Sequence, residues 1–394
     1  MVTMPMSFCG KGFYKFKYLK KLKLNSVTVR LVFNRKNKVL NSLYDNMSKS
    51  DSKSDSKSGN KSGNKKSSIM DEYEYEKYIA TPDNVMDIIN QYGVAIIPSL
   101  LDDQECDKMV SGMWDTLEDI SQTWPTPITR DNSESWRNIK ELFPLHSMLI
   151  QHWSIGHAQF IWDLRQNPKC AEVFAKVWCT APEDLLSSFD AASFHMPSEI
   201  TGIGWHRSTW YHSDQSFVTR EFQCVQSWVT GFDVNRGDAT LAFYEGSNNY
   251  HSELGDAFGI TDTANWYKIN DDAKIKFYTD RGCLPKRIMC PKGSMVLWDS
   301  RTIHCGVEPI KGRAAPNFRC VAYLCYMPRS MATKKTLDKK IKAFEEMRMT
   351  SHWPCEVKLF AKMPQTYGQP VAEILSLERP EIYALGRRLV GYEM

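Results

Sequence analysis

The chain has 394 residues, of which 42% are hydrophobic and 12% aromatic, a composition typical of a packed globular protein. Its net charge of +4 hides an asymmetry, because residues 1–70 hold 16 Lys and Arg against 3 Asp and Glu, whereas residues 71–394 carry a net charge of −9. An acidic body argues against a nucleic-acid-binding core, and without a run of 18 apolar residues we expect no membrane span. The 11 cysteines form no C-x-x-C pair, which favours free thiols in a reducing compartment and predicts a cytoplasmic protein.

Residues 1–46 form a basic N-terminal extension that has three alternative interpretations. Its first 44 residues contain ten Lys and Arg and no acidic residue, which is typical of a mitochondrial presequence. Such presequences are usually rich in Arg, however, and here Lys predominates. A secretory signal would need an uninterrupted apolar segment, which this extension lacks. In the third interpretation Met47 is the true start site, and the extension is rarely translated. Residues 47–70 follow as a low-complexity Ser, Lys, Gly and Asn linker, which predicts disorder.

The rest of the chain is predicted to form a single domain over residues 71–394. Residues 71–185 are rich in helix signals, residues 186–330 alternate short β-rich runs with turn residues, and residues 331–394 return to helix. Several short strands at such spacing predict a mainly β core, a sandwich or a barrel, within an α+β protein.

The helical part opens with a strand and a long amphipathic helix. YGVAIIPSLL predicts a strand that ends at Pro98, and Asp102 and Asp103 are placed to cap the helix that follows. Apolar side chains then recur at helical spacing, which predicts packing and no catalytic role: Cys106, Met109, Val110, Met113, Trp114, Leu117 and Ile120. In the tail, a second helix from Thr336 is predicted to bury Leu337, Ile341, Phe344 and Met347.

The β-rich core is predicted from five runs of strand-forming residues. These runs are QCVQSWVTGFDV (223–234), ATLAFYEGS (239–247), PKRIMCP (285–291), SMVLWDS (294–300) and FRCVAYLCYM (318–327).

The stretch TWYHSDQSF (209–217) places His212 and Asp214 two residues apart. Composition alone would give about one such pair in every second chain of this kind, so the pair needs support from elsewhere. In a strand, residues two apart point to the same side, so the imidazole and the carboxylate can bind one ion. His304, which follows the apolar run in GSMVLWDSRTIHCG and precedes a Gly, is the third candidate ligand.

Two His and one carboxylate on one face of a metal leave positions open for a co-substrate and O₂, as in non-haem Fe(II) oxygenases. A closed zinc site would want four ligands, usually with Cys, and Cys305 should point away from His304 in an extended segment. His251 and Glu253 form a competing H-x-carboxylate pair, but no strand precedes them directly. Three further histidines share no helix face and are interpreted as packing or surface residues: His146, His152 and His157.

A 2-oxoglutarate co-substrate would need a cation for its far carboxylate. Arg319 opens the predicted strand after His304, and a guanidinium binds a carboxylate through two parallel hydrogen bonds. Arg313 is the alternative, although its KGRAAP context resembles a loop in which the side chain would be solvated.

The order of these motifs resembles the phytanoyl-CoA dioxygenase-like family of Fe(II)/2-oxoglutarate-dependent oxygenases. The resemblance spans roughly residues 90 to 330, and its weight lies in the combination of short motifs. These are YGVAIIPSLLDDQEC (92–106), WYHSDQ (210–215), DATLAFYEGS (238–247), GSMVLWDSRTIHCG (293–306) and PNFRC (316–320).

The resemblance implies a double-stranded β-helix, a jelly roll of the cupin-like type, with flanking helices. It implies Fe(II) on His212, Asp214 and His304, with 2-oxoglutarate on Arg319 and O₂ as co-substrate. Asp214 stands where halogenating relatives have a small residue, which favours hydroxylation of a C–H bond with release of succinate and CO₂.

Other features stay open at this point. Gln226 and Trp298 are candidate lining residues of the co-substrate pocket, and plain sheet packing is their alternative role. Fifteen residues separate His304 from Arg319, more than in many members of the family, which keeps Arg313 in contention. A cupin-like metal enzyme that does not use 2-oxoglutarate and a catalytically inactive jelly-roll binding protein are the alternative functions.

The substrate is predicted only in outline, as a small-molecule or acyl/peptidyl compound. The aromatic stretch 205–212 and the Trp-rich region 135–160 are predicted to wall its pocket.

Overall fold

The computed structural model describes residues 72–142, 149–205, 209–269 and 271–393. The basic extension 1–46, the linker 47–70 and His146 lie outside these residues, so their interpretations stay predictions, as does the single-domain boundary. Of the helices in the described ranges, none combines the length and apolarity needed to cross a bilayer.

Two β-sheets form the centre of the described residues. The six-stranded sheet has the order β1 (Glu72–Glu74), β9 (Pro285–Ile288), β7 (Thr240–Tyr244), β11 (His304–Val307), β5 (His212–Ser213) and β8 (Tyr267–Lys268). The five-stranded sheet has the order β2 (Val94–Ile97), β10 (Met295–Asp299), β6 (Val225–Thr230), β12 (Arg319–Leu324) and β4 (Ala192–His195). A separate pair joins β3 (Leu185–Ser187) to β13 (Tyr326–Pro328).

The path of the chain through the two sheets is that of a jelly roll. From β4 to β12, successive strands alternate between the five-stranded and the six-stranded sheet, if the short edge strand β8 is left out. The one exception is the step from β7 to β9, two strands that pair with each other within the six-stranded sheet. The strand pairs along this path are antiparallel. The predicted double-stranded β-helix with flanking helices is therefore confirmed.

The space between the sheets is filled by apolar side chains from both. Val94, Ile96, Trp228 and Val296 from the five-stranded sheet meet Phe243 of the six-stranded sheet in one buried cluster. Alternate residues of each strand point inward, so a short run with bulky residues at every second position is enough to build this layer.

The helices are α1 (Val85–Tyr92), α2 (Asp103–Ser121), α3 (Gln159–Arg165), α4 (Pro168–Trp178), α5 (Ser198–Thr201), α6 (His251–Ala257), α7 (Asp272–Thr279), α8 (Lys334–Glu345) and α9 (Ala384–Val390). Short 3-10 helices cover Glu76–Tyr78, Ser133–Leu142, Ile155–His157, Pro182–Asp184, Ser247–Tyr250 and Arg329–Met331. Apolar residues of α1 to α4 pack in one cluster with the outward-facing residues of the five-stranded sheet. That sheet is thereby covered on both faces.

Helix α2 begins as the sequence predicts. The Asp102 carboxylate accepts a hydrogen bond from the Glu105 backbone N at 2.9 Å, and the Glu105 side chain accepts one from the Asp102 backbone N at 2.8 Å. This capping box satisfies two backbone donors at the start of the helix. The predicted apolar stripe is buried, with Val110 only partly so.

The five predicted strand runs contain β6, β7, β9, β10 and β12, and the last run also reaches into β13, so each is confirmed. The tail helix α8 is also confirmed, but it ends at Glu345, two residues before Met347. Phe344 is buried as predicted, whereas Leu337 and Ile341 are only half-buried. Met347 has a φ of 53°, in the left-handed region that a helix does not continue through. Strand β4 was not predicted separately, because its four residues carry too short a pattern to stand out.

Candidate metal centre

The two strands that carry the candidate histidines pair directly. His212 begins β5 and lies opposite His304, which begins β11, so that the centroids of the two rings are 4.4 Å apart. Asp214 follows β5, and its backbone N donates to the Ser300 carbonyl at 3.1 Å, which holds the residue beside the pair. One potential ligand atom from each of the three side chains lies within 4.8 Å of the others. The structure thus brings together the three residues that the sequence singled out.

Backbone carbonyl groups orient both imidazole rings. Nδ1 of His212 lies 3.2 Å from the Trp210 carbonyl oxygen, and Nδ1 of His304 lies 2.9 Å from that of Thr302. Because a carbonyl only accepts, each Nδ1 carries the proton, and each Nε2 keeps a lone pair for a ligand. The Nε2 atoms lie 3.4 and 3.3 Å from the Asp214 carboxylate oxygens. This outer hydrogen bonding is what a metal-binding histidine requires.

The protonation states also suit metal binding. Burial lowers the pKa of His212, so its imidazole is neutral near pH 7. Burial alone would raise the pKa of Asp214, but the neighbouring His352 and His212 hold it well below its usual range. Gln226 donates from Nε2 to Asp214 Oδ2 at 2.8 Å and fixes the carboxylate further. The group therefore offers one nitrogen lone pair from each imidazole and one anionic oxygen from Asp214.

Within the described ranges, no fourth His, Cys, Asp or Glu joins this group. Cys305 packs into a separate apolar cluster with Ala242, on the other side of β11, as the sequence predicts. In the competing pair, His251 begins α6, its Nε2 lies 3.1 Å from the Ser216 carbonyl, and Glu253 accepts from Arg281. That pair is engaged in ordinary structural contacts.

The three side chains open onto a cavity of about 590 Å³ with aromatic walls. The Trp210 ring stacks on His212 at 4.7 Å, and its Nε1 donates to the Gly306 carbonyl at 3.0 Å. The Trp298 ring lies 5.4 Å from that of His304, and Trp298 pairs with Gln226 across β10 and β6. Gln226 and Trp298, the two further residues considered from the sequence, both line this cavity.

Of the two candidate arginines, only Arg319 lines the cavity. Arg319 begins β12, is 5% exposed, and donates from Nη1 to the Ala239 carbonyl at 3.1 Å, while its Nε has no partner among the described residues. Arg313 instead binds Glu199 at 2.7 Å and Asp238 at 2.7 Å. Arg313 is therefore already neutralised by two carboxylates.

The predicted walls of the pocket are partly wrong. Trp210 lines the cavity, and Leu149 and Gln151 of the region 135–160 line it too, but the tryptophans of that region, Trp136 and Trp153, do not. The Trp136 ring packs at 5.1 Å from Phe318, and Trp153 donates from Nε1 to the Leu142 carbonyl at 2.8 Å. Trp136 is buried against Trp114 of α2, and Trp153 is half-buried against the same core cluster. Packing such large rings against the core stabilises the fold more than exposing them in a cavity would.

A hairpin near the C terminus supplies part of the wall that the sequence did not indicate. Four of its residues line the cavity: Ser351, His352, Lys358 and Phe360. The Ser351 backbone N donates to the Lys358 carbonyl at 2.9 Å, which closes the hairpin. Phe189 N donates to Thr350 Oγ1 at 2.9 Å and Thr350 N to the Phe189 carbonyl at 3.0 Å, which fix it to the body of the protein. Two acidic residues, Asp190 and Glu308, also line the cavity without any earlier indication.

Comparison with known proteins gives one curated relative and several distant structures. "Ava biosynthesis cluster protein O" of Aspergillus versicolor is 28% identical over 211 residues, which are 52% of this chain and 65% of that protein. The chain thus spans less than two thirds of the length of this relative.

Two solved structures illustrate the distant likeness. The Escherichia coli protein JW0805 gives a TM-score of 0.47 at 13% identity, over 80% of this chain and 85% of that chain. The epimerase SnoN, solved with Fe³⁺, alpha ketoglutarate and nogalamycin RO, gives 0.38 at 12% identity, over 61% of this chain and 80% of that chain. Similarities this distant say nothing about which ligands this chain binds.

The family comparison is more extensive. The sequence profile of the phytanoyl-CoA dioxygenase (PhyH) family matches residues 89–308, more than half of the chain. The matched range runs from α1 through β11 and contains His212, Asp214 and His304. The chain belongs to the phytanoyl-CoA dioxygenase family.

Proposed function

We propose that this protein is an Fe(II)- and 2-oxoglutarate-dependent dioxygenase that hydroxylates a C–H bond and releases succinate and CO₂. The observation that carries the proposal is the buried group of His212, Asp214 and His304, whose ligand atoms lie within 4.8 Å of one another. Membership of the phytanoyl-CoA dioxygenase family supports it independently.

The donor set fits Fe(II). Two imidazole nitrogens and one carboxylate oxygen on one side of an ion form the arrangement of non-haem iron oxygenases, with positions left for other ligands. The protonated Nδ1 atoms of His212 and His304 aim both Nε2 lone pairs inward, and Gln226 restrains Asp214 by a hydrogen bond of 2.8 Å. No thiolate takes part, which argues against a closed structural zinc site.

The remaining residues suit 2-oxoglutarate. Arg319 is buried in the same cavity, and its unpartnered Nε can join a second N–H in a two-pronged contact with the distal carboxylate. When bound, iron and 2-oxoglutarate supply the oxidising power through the decarboxylation of 2-oxoglutarate by O₂. The chain itself binds the metal, orients the co-substrate and surrounds the reaction with Trp210 and Trp298, which restrict access of water.

The test is the visible spectrum of the anaerobic full-length protein after addition of Fe(II) and then 2-oxoglutarate. A chelated Fe(II)–2-oxoglutarate complex has a weak charge-transfer band that needs no substrate. We expect the band in the wild-type protein and its loss in His212→Ala. His152→Ala is the matched control, because the His152 ring bonds to the Ala361 carbonyl and is not part of the metal group, so this variant should leave the band intact.

Each alternative function gives a different result in the same titration. Iron binding without the band would favour a cupin-like enzyme that does not use 2-oxoglutarate. Absence of iron binding would favour a catalytically inactive binding protein.

The family name does not define the substrate, because fold and cofactor are shared by enzymes with unrelated substrates. A small-molecule or acyl/peptidyl substrate therefore stays a proposal until turnover is measured by succinate release.

A further inference from the structure

The cavity contains a buried carboxylate that the proposed reaction does not use. Glu308 directly follows β11 and lines the cavity, and the residue is 5% exposed. Neither of its carboxylate oxygens has a hydrogen-bond partner among the described residues. Burial of an ionised carboxylate without a partner is strongly unfavourable, so its retention calls for a ligand that supplies the missing contact.

The next three basic residues after Glu308 in the chain contact other groups. Lys311 lies 5.8 Å from the Trp205 ring, and Arg313 pairs with Glu199 and Asp238. Arg319 donates to the Ala239 carbonyl and lies 5.2 Å from the Trp228 ring. The protein therefore does not use these three cations to neutralise Glu308.

A second carboxylate in the cavity points to the same type of ligand. Asp190 lines the cavity, and among the described residues its carboxylate accepts one backbone hydrogen bond, from Ala191 N to Oδ1 at 2.7 Å. Arg165, the cation beside it, donates to its backbone carbonyl at 3.0 Å. The rest of the wall includes the rings of Trp210 and Trp266, whose faces attract cations.

The formal charges of the cavity favour the same ligand. The charges of Fe(II), Asp214, doubly ionised 2-oxoglutarate and Arg319 cancel. Glu308 then remains as a buried carboxylate without a partner among the described residues, whereas Asp190 lies beside Arg165, and Lys358 is exposed at the edge of the cavity. An anionic group next to Glu308 would be repelled, whereas a cation would be attracted.

We propose that the substrate carries a protonated amine, which Glu308 binds while the rest of the substrate lies against the tryptophan rings. This inference rests on the proposed oxygenase function, because it assumes that the cavity beside the metal group is the substrate site. His304, Gly306 and Glu308 are alternate residues of an extended segment and point to the same side. At about 3.3 Å per residue, the Cα atoms of His304 and Glu308 lie roughly 13 Å apart, so the amine lies several bonds from the oxidised carbon.

The experiment compares three probes that share a phenylbutyl chain and differ in the charge of the head group. Calorimetry measures the binding of 4-phenylbutylammonium, 4-phenylbutan-1-ol and 5-phenylpentanoate to the full-length protein with Fe(II) and 2-oxoglutarate, without oxygen. We expect the ammonium probe to bind at least about tenfold more tightly than the other two. Glu308→Gln should remove that advantage and leave the affinity for the alcohol within about twofold, because the amide keeps the shape and loses the charge.

Glu172→Gln is the matched control, since Glu172 is an exposed residue of α4 outside the cavity. It should leave the affinity for all three probes unchanged. Equal or tighter binding of the alcohol or the carboxylate to the wild-type protein would overturn the inference, even if Glu308→Gln does not fold. So would a Glu308→Gln protein that keeps the full preference for the ammonium probe.

The charge-transfer band separates this inference from the proposed function. A protein that forms the band but shows no preference for the ammonium probe retains the oxygenase proposal and loses the inference. A protein that forms no band loses the oxygenase proposal and with it this inference.

Discussion

Replacement of Arg319 by Ala should sharply weaken the binding of 2-oxoglutarate to the Fe(II)-loaded protein. Arg319 is 5% exposed, and its guanidinium is held in place by a hydrogen bond to the Ala239 carbonyl at 3.1 Å and by the Trp228 ring at 5.2 Å. Removing one member of a buried, hydrogen-bonded charge pair costs about 2–5 kcal/mol. The Kd of 2-oxoglutarate should therefore rise about 30-fold to several-thousandfold.

The assay is an anaerobic titration with 2-oxoglutarate, followed by the charge-transfer band or by calorimetry. Arg319→Lys keeps a positive charge but loses the planar fork of N–H donors, so its Kd should lie between those of the wild type and Arg319→Ala. Each variant is first checked for unchanged binding of Fe(II), so that a change in Kd reports the co-substrate alone.

Arg313→Ala provides the matched control and the result that would refute the reasoning. Its side chain binds Glu199 and Asp238, both at 2.7 Å, so its removal leaves two carboxylates without a cation. We expect a loss of about 3–5 kcal/mol in the free energy of unfolding, with the Kd of 2-oxoglutarate unchanged within about twofold. A large rise in Kd for Arg313→Ala together with an unchanged Kd for Arg319→Ala would reverse the assignment.

Three further variants test other parts of the structure. Gln226→Leu removes the 2.8 Å hydrogen bond to Asp214 and should weaken Fe(II) binding about 10- to 100-fold in competition with a chromophoric chelator; equal affinity would contradict this role. Burial lowers the pKa of Lys340 to about 7 in the folded protein, whereas an unfolded lysine titrates near about 10. Between these two pH values Lys340 is protonated in the unfolded chain and neutral in the folded one, so the free energy of unfolding of the wild type rises with pH. Relative to Lys340→Met, the wild type should gain up to about 4 kcal/mol of unfolding free energy over that range by urea denaturation, and parallel curves would refute this. Thr350→Val leaves the Phe189 amide without its 2.9 Å acceptor and should lower the unfolding free energy by about 1–3 kcal/mol, whereas an unchanged urea midpoint would show that water replaces the hydroxyl.

The local elements could be predicted because their signals lie within a few neighbouring residues. The capping box of Asp102 and Glu105 and the alternation in β6 and β10 each depend on spacing along the chain. The proximity of the three candidate metal ligands was predictable for the same reason. His212 and Asp214 are two residues apart on a strand end, and His304 begins a strand after a turn, so strand geometry alone places them on one side.

The rest of the cavity depends on contacts that no local pattern encodes. The hairpin that carries Ser351 and His352 is fixed by hydrogen bonds between Thr350 and Phe189, which are 161 residues apart. Trp136 and Trp153 looked equally suited to a pocket wall, yet Trp136 is buried in the core and Trp153 packs against it. A tryptophan in a sequence indicates burial, and only the tertiary structure decides whether the ring faces a cavity or the interior.

The candidate metal ligands and the residues of the cavity wall lie on different parts of the fold. The metal group lies on the paired strands β5 and β11, where backbone hydrogen bonds fix the positions of the histidines and carbonyl groups fix their rings. The match to the family covers this part and ends at Glu308, whereas the hairpin that bears Ser351 and His352 lies beyond it. A rigid sheet can therefore hold the same metal chemistry while loops and a C-terminal hairpin change the wall around it. On this argument, exchange of the hairpin between relatives should alter which substrate is accepted before it alters the binding of iron.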